Sequence, residues 1–135
     1  MWNSRGHALA VPVFASAVVI SAGAAVMRYR HMVPLYLTVA TYTAATALMV
    51  VGFLVALGSR KAAWAAFALA FAGMAVSTNP AHIRALAAFG TGPFISAADI
   101  TMVVGFYALP AVYVVMFLLG RRAKGGGVAG GAGSE

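Results

Sequence analysis

Few side chains in this chain could carry chemistry, and the first of them is Asp99. The sequence holds two acidic residues, Asp99 and Glu135, against nine lysines and arginines. At the start of an apolar stretch, a carboxylate either stabilises a helix N-terminus through the helix dipole or, inside the membrane, pairs with a base or relays a proton. Because Ser96 and Asp99 resemble ordinary first-turn residues, we favour the capping role. In the other case Arg28 or Arg84 is the expected partner.

A line of hydroxyl side chains is the second candidate. Thr38, Tyr42 and Thr46 recur at every fourth residue, so they lie along one helix face that we expect to be turned toward protein. Together with Asp99 they could form a polar track or proton relay for a quinone, a proton or a solute. The alternative is packing, in which each hydroxyl bonds to its own helix or to a neighbouring one. We favour packing, because threonine is small and well tolerated in membrane helices.

His31 and His82 form the third candidate, because two histidines from different helices can hold a haem iron. Neither histidine falls within a predicted span, whereas a bis-histidine haem is normally held inside the bundle, so we favour surface or loop histidines. The absence of cysteine excludes disulfides and thiolate metal ligands. We therefore expect no metal site and no cofactor, with haem b as the alternative.

The sequence also lacks the common catalytic motifs. It has no nucleotide-binding loop, no catalytic triad, no zinc-ligand spacing and no carboxylate pair. With two acids in the whole chain, metal-dependent hydrolysis and phosphoryl transfer have almost no ligands to work with. We expect a protein that is not an enzyme.

The composition is typical of an integral membrane protein. Hydrophobic residues make up 63% of the chain and charged residues 8%. Residues 33–59 carry no charge, and at about 1.5 Å per residue a helix of this length crosses the roughly 30 Å hydrocarbon layer. The basic residues flank the apolar runs, a placement that membrane orientation and anionic lipid headgroups explain. We therefore expect no nucleic-acid partner.

The apolar runs predict an all-α, polytopic membrane protein with four transmembrane helices in a bundle. The expected spans are residues 8–27, 33–58, 62–77 and 97–120 of a domain covering residues 1–124. A short interfacial helix is expected at about residues 80–89, and residues 125–135 form a flexible glycine-rich tail. The first run also resembles a signal peptide, although its length favours a retained helix. Pro110 should free the carbonyl of Phe106 and kink the last span.

The basic residues also predict the orientation. Four spans place both termini on one side of the membrane, and that side holds six of the nine bases: Arg5, Arg60, Lys61, Arg121, Arg122 and Lys124. The opposite side holds Arg28, Arg30 and Arg84. The positive-inside rule then predicts a cell-membrane protein whose N and C termini are cytoplasmic.

The alanine-rich helices and the shortage of polar groups indicate a small non-catalytic accessory or structural subunit of a larger membrane complex. A respiratory complex is the first expectation, with the lipid bilayer and other membrane subunits, or further copies of the chain, as partners. One alternative is a homo-oligomeric channel or transporter with a path lined by Thr38, Tyr42, Thr46 and Asp99. Another is a haem- or quinone-binding electron carrier.

Overall fold

The structure, a computed structural model, describes residues 4–31, 33–78 and 97–125, together with Pro80, Ile83 and Ala87. These described residues form helices joined by short turns, with no strand among them. The elements are α1 (Ser4–Tyr29), α2 (Leu35–Ala56), α3 (Arg60–Ser77), α4 (Ala97–Val103), a π-helical turn (Val104–Ala108) and α5 (Leu109–Gly125). Because α4, the π turn and α5 follow one another without a break, we call them together the last helix.

Three of the described helices are long and apolar enough to cross a membrane. They are Ser4–Tyr29, Leu35–Ala56 and Ile100–Ala123, which fall at the first, second and fourth predicted spans. The third predicted span corresponds to α3, which is not among them; it has 18 residues and begins with Arg60 and Lys61. The expected interfacial helix at residues 80–89 lies outside the described residues apart from the three positions named above, and so do residues 126–135.

The most buried of the three long helices is α1. It packs along α2 and along all three parts of the last helix, whereas α3 contacts α2 and the last helix. In the apolar part of α1, 44% of the residues are buried, against 17% in each of the other two. Close approach is possible because small residues lie at the contacts: a Cβ on Gly23 would meet the Thr101 side chain, and one on Gly52 would lie 3.0 Å from the Phe14 ring. α2 and the last helix are therefore arranged around α1, and α3 packs against these two.

The turn between α2 and α3 is fixed by its own hydrogen bonds. Gly58 takes a positive φ of 86°. Its N–H donates to the Val55 carbonyl at 2.9 Å, and the N–H of Ser59 donates to the Leu54 carbonyl at 3.0 Å. These two bonds form a Schellman motif, for which glycine is the favoured residue. The Ser59 hydroxyl then accepts the Ala62 N–H at 3.2 Å and caps α3.

Aromatic side chains hold α3 against α5. The rings of Trp64 and Phe117 lie 4.9 Å apart in an edge-to-face arrangement, and those of Phe67 and Phe117 are 5.0 Å apart. The buried Tyr113 stacks on Phe117 from one turn earlier in α5. This aromatic contact lies toward the start of α3. Farther along α3 the helices leave a cavity.

Candidate functional site

A cavity of about 310 Å³ lies among α1, α2, α3 and the last helix. We call it the central cavity. Its wall is mostly apolar and includes Val13, Ile20, Leu48, Leu69, Val76 and Phe106. Three hydroxyl side chains, those of Ser16, Ser77 and Tyr113, also belong to the wall, and all three residues are buried. A cavity of this size and character suits an apolar molecule oriented by a few polar contacts.

The π turn explains why Ser16 is at this wall. Within the turn the Leu109 N–H donates to the Val104 carbonyl, five residues earlier. In the same register the carbonyl of Gly105 would pair with residue 110, which is a proline and has no N–H. The Ser16 hydroxyl supplies the missing donor at 2.6 Å from the Gly105 oxygen.

This arrangement differs from the sequence expectation in one respect. A proline in an α-helix frees the carbonyl four residues earlier, which is that of Phe106. The π turn moves the pairing by one residue, so Gly105 is the carbonyl that receives a side-chain donor from another helix. The irregularity expected around Pro110 therefore takes the form of a π turn. The kink itself stays a prediction.

Tyr113 connects the wall of the cavity to α3. Its hydroxyl donates to the Ala63 carbonyl at 2.7 Å. Ser16 and Tyr113 thus both use their hydroxyl hydrogen on a backbone carbonyl, which leaves only the oxygen lone pairs for another molecule. Within the described residues these two hydroxyls can accept a hydrogen bond from a bound group, and their present bonds hold helices together.

The predicted hydroxyl line does not reach the central cavity. Thr38 is buried, and its Oγ1 has no hydrogen-bond partner among the described residues. Tyr42 is 41% exposed, and Thr46 is exposed with its hydroxyl bonded to the Tyr42 carbonyl at 2.8 Å. Only Thr38 faces the interior of a single chain, so a polar track along this line would have to run between copies.

The remaining predicted site residues are Asp99, His31 and His82. Asp99 belongs to α4, and the choice between a helix cap and a proton relay stays a prediction. His31 is exposed and takes a positive φ of 54° in the turn after α1, a conformation that histidine adopts more readily than most residues. His82 lies outside the described residues. Over the described part of the chain, no group of three or more His, Asp or Glu side chains could hold a metal ion.

Sequence reasoning missed the central cavity and the role of Ser16. The one available signal was the pair Gly105 and Pro110, which marks a break in the hydrogen bonding of the last helix. Nothing near Ser16 in the sequence shows that it completes this break, since the two partners are separated by 89 positions.

Comparison with protein-family models, with curated proteins and with solved structures finds no match to this chain.

Proposed function

We propose that the protein is a small non-catalytic accessory or structural subunit of a larger membrane complex, with a respiratory complex as the first expectation. The observation that carries the proposal is an exposed face of small side chains on α3. Its members are Ala65, Ala68, Ala72 and Ala75, which we call the alanine face. Their spacing of three and four residues places them on one side of the helix. Small residues at this spacing allow the backbone of another membrane helix to approach closely.

The character of α3 favours protein over lipid as the cover for this face. The helix has 18 residues, begins with two charged ones and is not among the helices apolar enough to span by themselves. Alanine gains less from lipid contact than leucine, isoleucine or phenylalanine does, so a neighbouring helix stabilises such a segment better than acyl chains do. On this proposal α3 is the third of four spans of a helix bundle in the cell membrane, with both termini cytoplasmic.

The hydrogen bonding of the hydroxyl groups supports a structural role. Thr41, Thr43 and Thr46 each donate to the carbonyl four residues earlier in α2, at 2.8 to 2.9 Å. Ser16 and Tyr113 donate to carbonyls of neighbouring helices. The threonine hydroxyls are thus satisfied within their own helix, and the Ser16 and Tyr113 hydroxyls hold neighbouring helices together.

The test is to enlarge the alanine face and follow assembly. The double variant Ala65→Leu, Ala68→Leu keeps the helix apolar but prevents close approach. Overpacking of a well-packed contact costs about 1–3 kcal/mol, which lowers an association constant about 5- to 150-fold. The matched control is Ala22→Leu, Ala25→Leu, an exposed pair at the same spacing on α1.

The measurement is the size of the complex that contains the protein after mild-detergent extraction from native membranes, followed by identification of the co-purifying chains. We expect the α3 variant to migrate as a smaller species and the α1 variant to migrate like the unaltered protein. A wild-type protein that migrates as a lone monomer would refute the subunit proposal. Equal assembly of both variants would show that the alanine face is not the contact.

The central cavity favours a second candidate, a quinone-binding electron carrier. Gly73 lines the cavity, and a Cβ added there would have no atom within 4 Å. Gly73→Phe should therefore fill the cavity from an open position, whereas Gly73→Ala should leave most of it free. If the protein carries a quinone, solvent extraction of the pure protein should recover it from the wild type and from Gly73→Ala but not from Gly73→Phe. An optical spectrum without a Soret band would exclude the haem version, which uses His31 and His82.

A homo-oligomeric channel or transporter is the third candidate, favoured by the buried hydroxyl of Thr38, which has no partner in the part of the chain that the structure describes. Because Tyr42 and Thr46 are exposed in one chain, the path would be formed between copies. Flux into liposomes containing the pure protein tests it. A channel of this kind should conduct less after Thr46→Val and after Asp99→Asn, and the absence of any flux above empty liposomes would refute it.

A further inference from the structure

A second groove, of about 460 Å³, lies where α1 and α3 begin and α5 ends. Three arginines from three different helices line it: Arg5, Arg60 and Arg121. We call it the arginine groove. The guanidinium carbon of Arg121 lies 4.9 Å from the centroid of the Trp64 ring, within cation–π range. The guanidinium of Arg5 lies over Gly120, in the space that a Cβ at that position would need. Two of the three cations are therefore placed by contacts across the groove.

Among the described residues, these positive charges have no counter-charge in the groove. None of the described residues that line it carries a carboxylate. Of the two acids in the chain, Asp99 is in α4, roughly 30 Å along the last helix from Gly120 at about 1.5 Å per residue, and Glu135 lies outside the described residues. The N-terminus of α3 adds the positive end of a helix dipole at the same place. The groove thus presents a concentrated positive field that an anion would neutralise.

We propose that the arginine groove binds the phosphate group of an anionic phospholipid. Arginine pairs with phosphate through two parallel N–H···O bonds, and three arginines around one groove suit a tetrahedral anion. Most of the remaining wall is apolar. An acyl chain can lie against Leu9 and the Trp64 ring, which is 41% exposed, whereas Val55 and Phe117 are buried in the core. The groove lies at the end of the apolar helices, which is the level of the lipid headgroups when those helices span a membrane.

The apolar part of the wall distinguishes a lipid from a free anion. Inorganic phosphate would use only the guanidinium groups, whereas a phospholipid would also cover Leu9 and the exposed part of the Trp64 ring. The inference rests on the membrane placement of the helices and is independent of whether the protein assembles with other subunits.

The test uses the fluorescence of Trp64. The chain has two tryptophans, and Trp2→Phe in the full-length protein leaves Trp64, a groove residue, as the sole emitter. The protein is placed in nanodiscs of phosphatidylcholine that contain either brominated phosphatidylglycerol or brominated phosphatidylcholine. Bromine quenches tryptophan at short range, so the ratio of the two quenching constants measures preference for the anionic lipid. We expect clearly stronger quenching by the brominated phosphatidylglycerol.

Two double variants, each of which removes two positive charges, distinguish binding in the arginine groove from a general attraction of anionic lipid to the positive end of the protein. Arg5→Gln, Arg60→Gln removes two groove arginines and leaves the Arg121–Trp64 contact in place. Lys61→Gln, Arg122→Gln removes two bases at the same end that do not line the groove. We expect the preference to fall at least about fivefold in the first and less than about twofold in the second. Circular dichroism and gel filtration check that both double variants fold. If the first does not fold, the single variants Arg60→Gln and Lys61→Gln provide the same comparison.

Equal losses in the two double variants would overturn the proposal, because the attraction would then come from the net charge of that end. Loss of the preference on adding excess inorganic phosphate at constant ionic strength would also overturn it, since the groove would then be a site for a soluble anion. The proposal would also be overturned if the protein with all three groove arginines intact showed no preference for phosphatidylglycerol. Complex formation, tested through Ala65 and Ala68, is a separate measurement and can fail or succeed independently.

Discussion

Replacing Ser16 with alanine removes the hydrogen bond between the first and the last helix at the π turn. The Ser16 hydroxyl donates to the Gly105 carbonyl at 2.6 Å in a buried position. The carbonyl has no alternative donor in the register of the π turn, because residue 110 is proline. The substitution deletes one oxygen atom and changes little else, so the loss of stability reports on this bond.

The size of the effect follows from the surroundings of the carbonyl. Hydrogen bonds between side chains of membrane helices contribute about 0.6 kcal/mol on average and about 1.7 kcal/mol at most. An acceptor left buried without a partner costs about 1–3 kcal/mol. Because the wall around Gly105 is mostly apolar, we expect Ser16→Ala to lower the free energy of unfolding by about 1.5 kcal/mol, near the top of the first range.

Reversible unfolding with dodecyl sulfate in mild-detergent micelles, followed by far-ultraviolet circular dichroism, measures this loss. The control is Thr46→Ala, whose hydroxyl is exposed and bonds to a carbonyl of its own helix. There we expect a change within about 0.5 kcal/mol. The two substitutions remove the same kind of donor from a buried contact between helices and from an exposed contact within one helix.

A double-mutant cycle with Pro110→Ala tests the reason for the effect. Alanine at position 110 restores the backbone N–H that can pair with the Gly105 carbonyl. In the Pro110→Ala background, Ser16→Ala should lower the free energy of unfolding by about 1 kcal/mol less than it does in the wild type. This difference is larger than the deviation of about 0.3–0.5 kcal/mol that is usual for two independent substitutions. An equal cost of Ser16→Ala in both backgrounds would show that the missing N–H of Pro110 is not the reason that the Gly105 carbonyl depends on Ser16.

Two further predictions concern glycine packing and the path of α3. A Cβ on Gly105 would lie 2.7 Å from Cγ2 of Ile20, so Gly105→Ala should lower the free energy of unfolding by about 1–3 kcal/mol. A Cβ on Gly73 would have no atom within 4 Å, so Gly73→Ala should be neutral or stabilising by up to about 1 kcal/mol. The unfolding assay used for Ser16→Ala measures both changes. Because the chain has no cysteine, the single variants Lys61→Cys and Thr78→Cys, at the two ends of α3, can each be labelled with a membrane-impermeant thiol reagent. We expect the two cysteines to react from opposite sides of the membrane. Reaction of both from the same side would show that α3 does not cross.

Much of the fold could be predicted because membrane insertion depends on local composition. A long apolar run lowers its free energy in lipid wherever it occurs in the chain, and the backbone must then form a helix to satisfy its hydrogen bonds. The helices Ser4–Tyr29, Leu35–Ala56 and Ile100–Ala123 are apolar and long enough, as the sequence predicts. For α3 the composition is ambiguous, because alanine contributes little and two charges open the helix, so hydropathy alone does not decide whether it spans.

The candidate site could be predicted only in part. Pro110 and Gly105 mark an irregular turn, yet the carbonyl that needs a donor depends on the register of the π turn, which the sequence leaves open. The spacing of Thr38, Tyr42 and Thr46 predicts that they share one face of α2, and their role as a polar track stays a prediction. Which way that face turns depends on how α2 rotates against α1, and this rotation buries Thr38 while leaving Tyr42 and Thr46 exposed.

The sequence by itself determined that this chain is helical, apolar and basic at the ends of its apolar runs, since these properties follow from residue types and their order. The tertiary structure decided which residues meet. It joined Ser16 to Gly105 across 89 positions and gathered Arg5, Arg60 and Arg121 around one groove. The physical reason is that hydrophobicity acts on each segment separately, whereas hydrogen bonds, close packing and charge clusters depend on distances that only the assembled helices define.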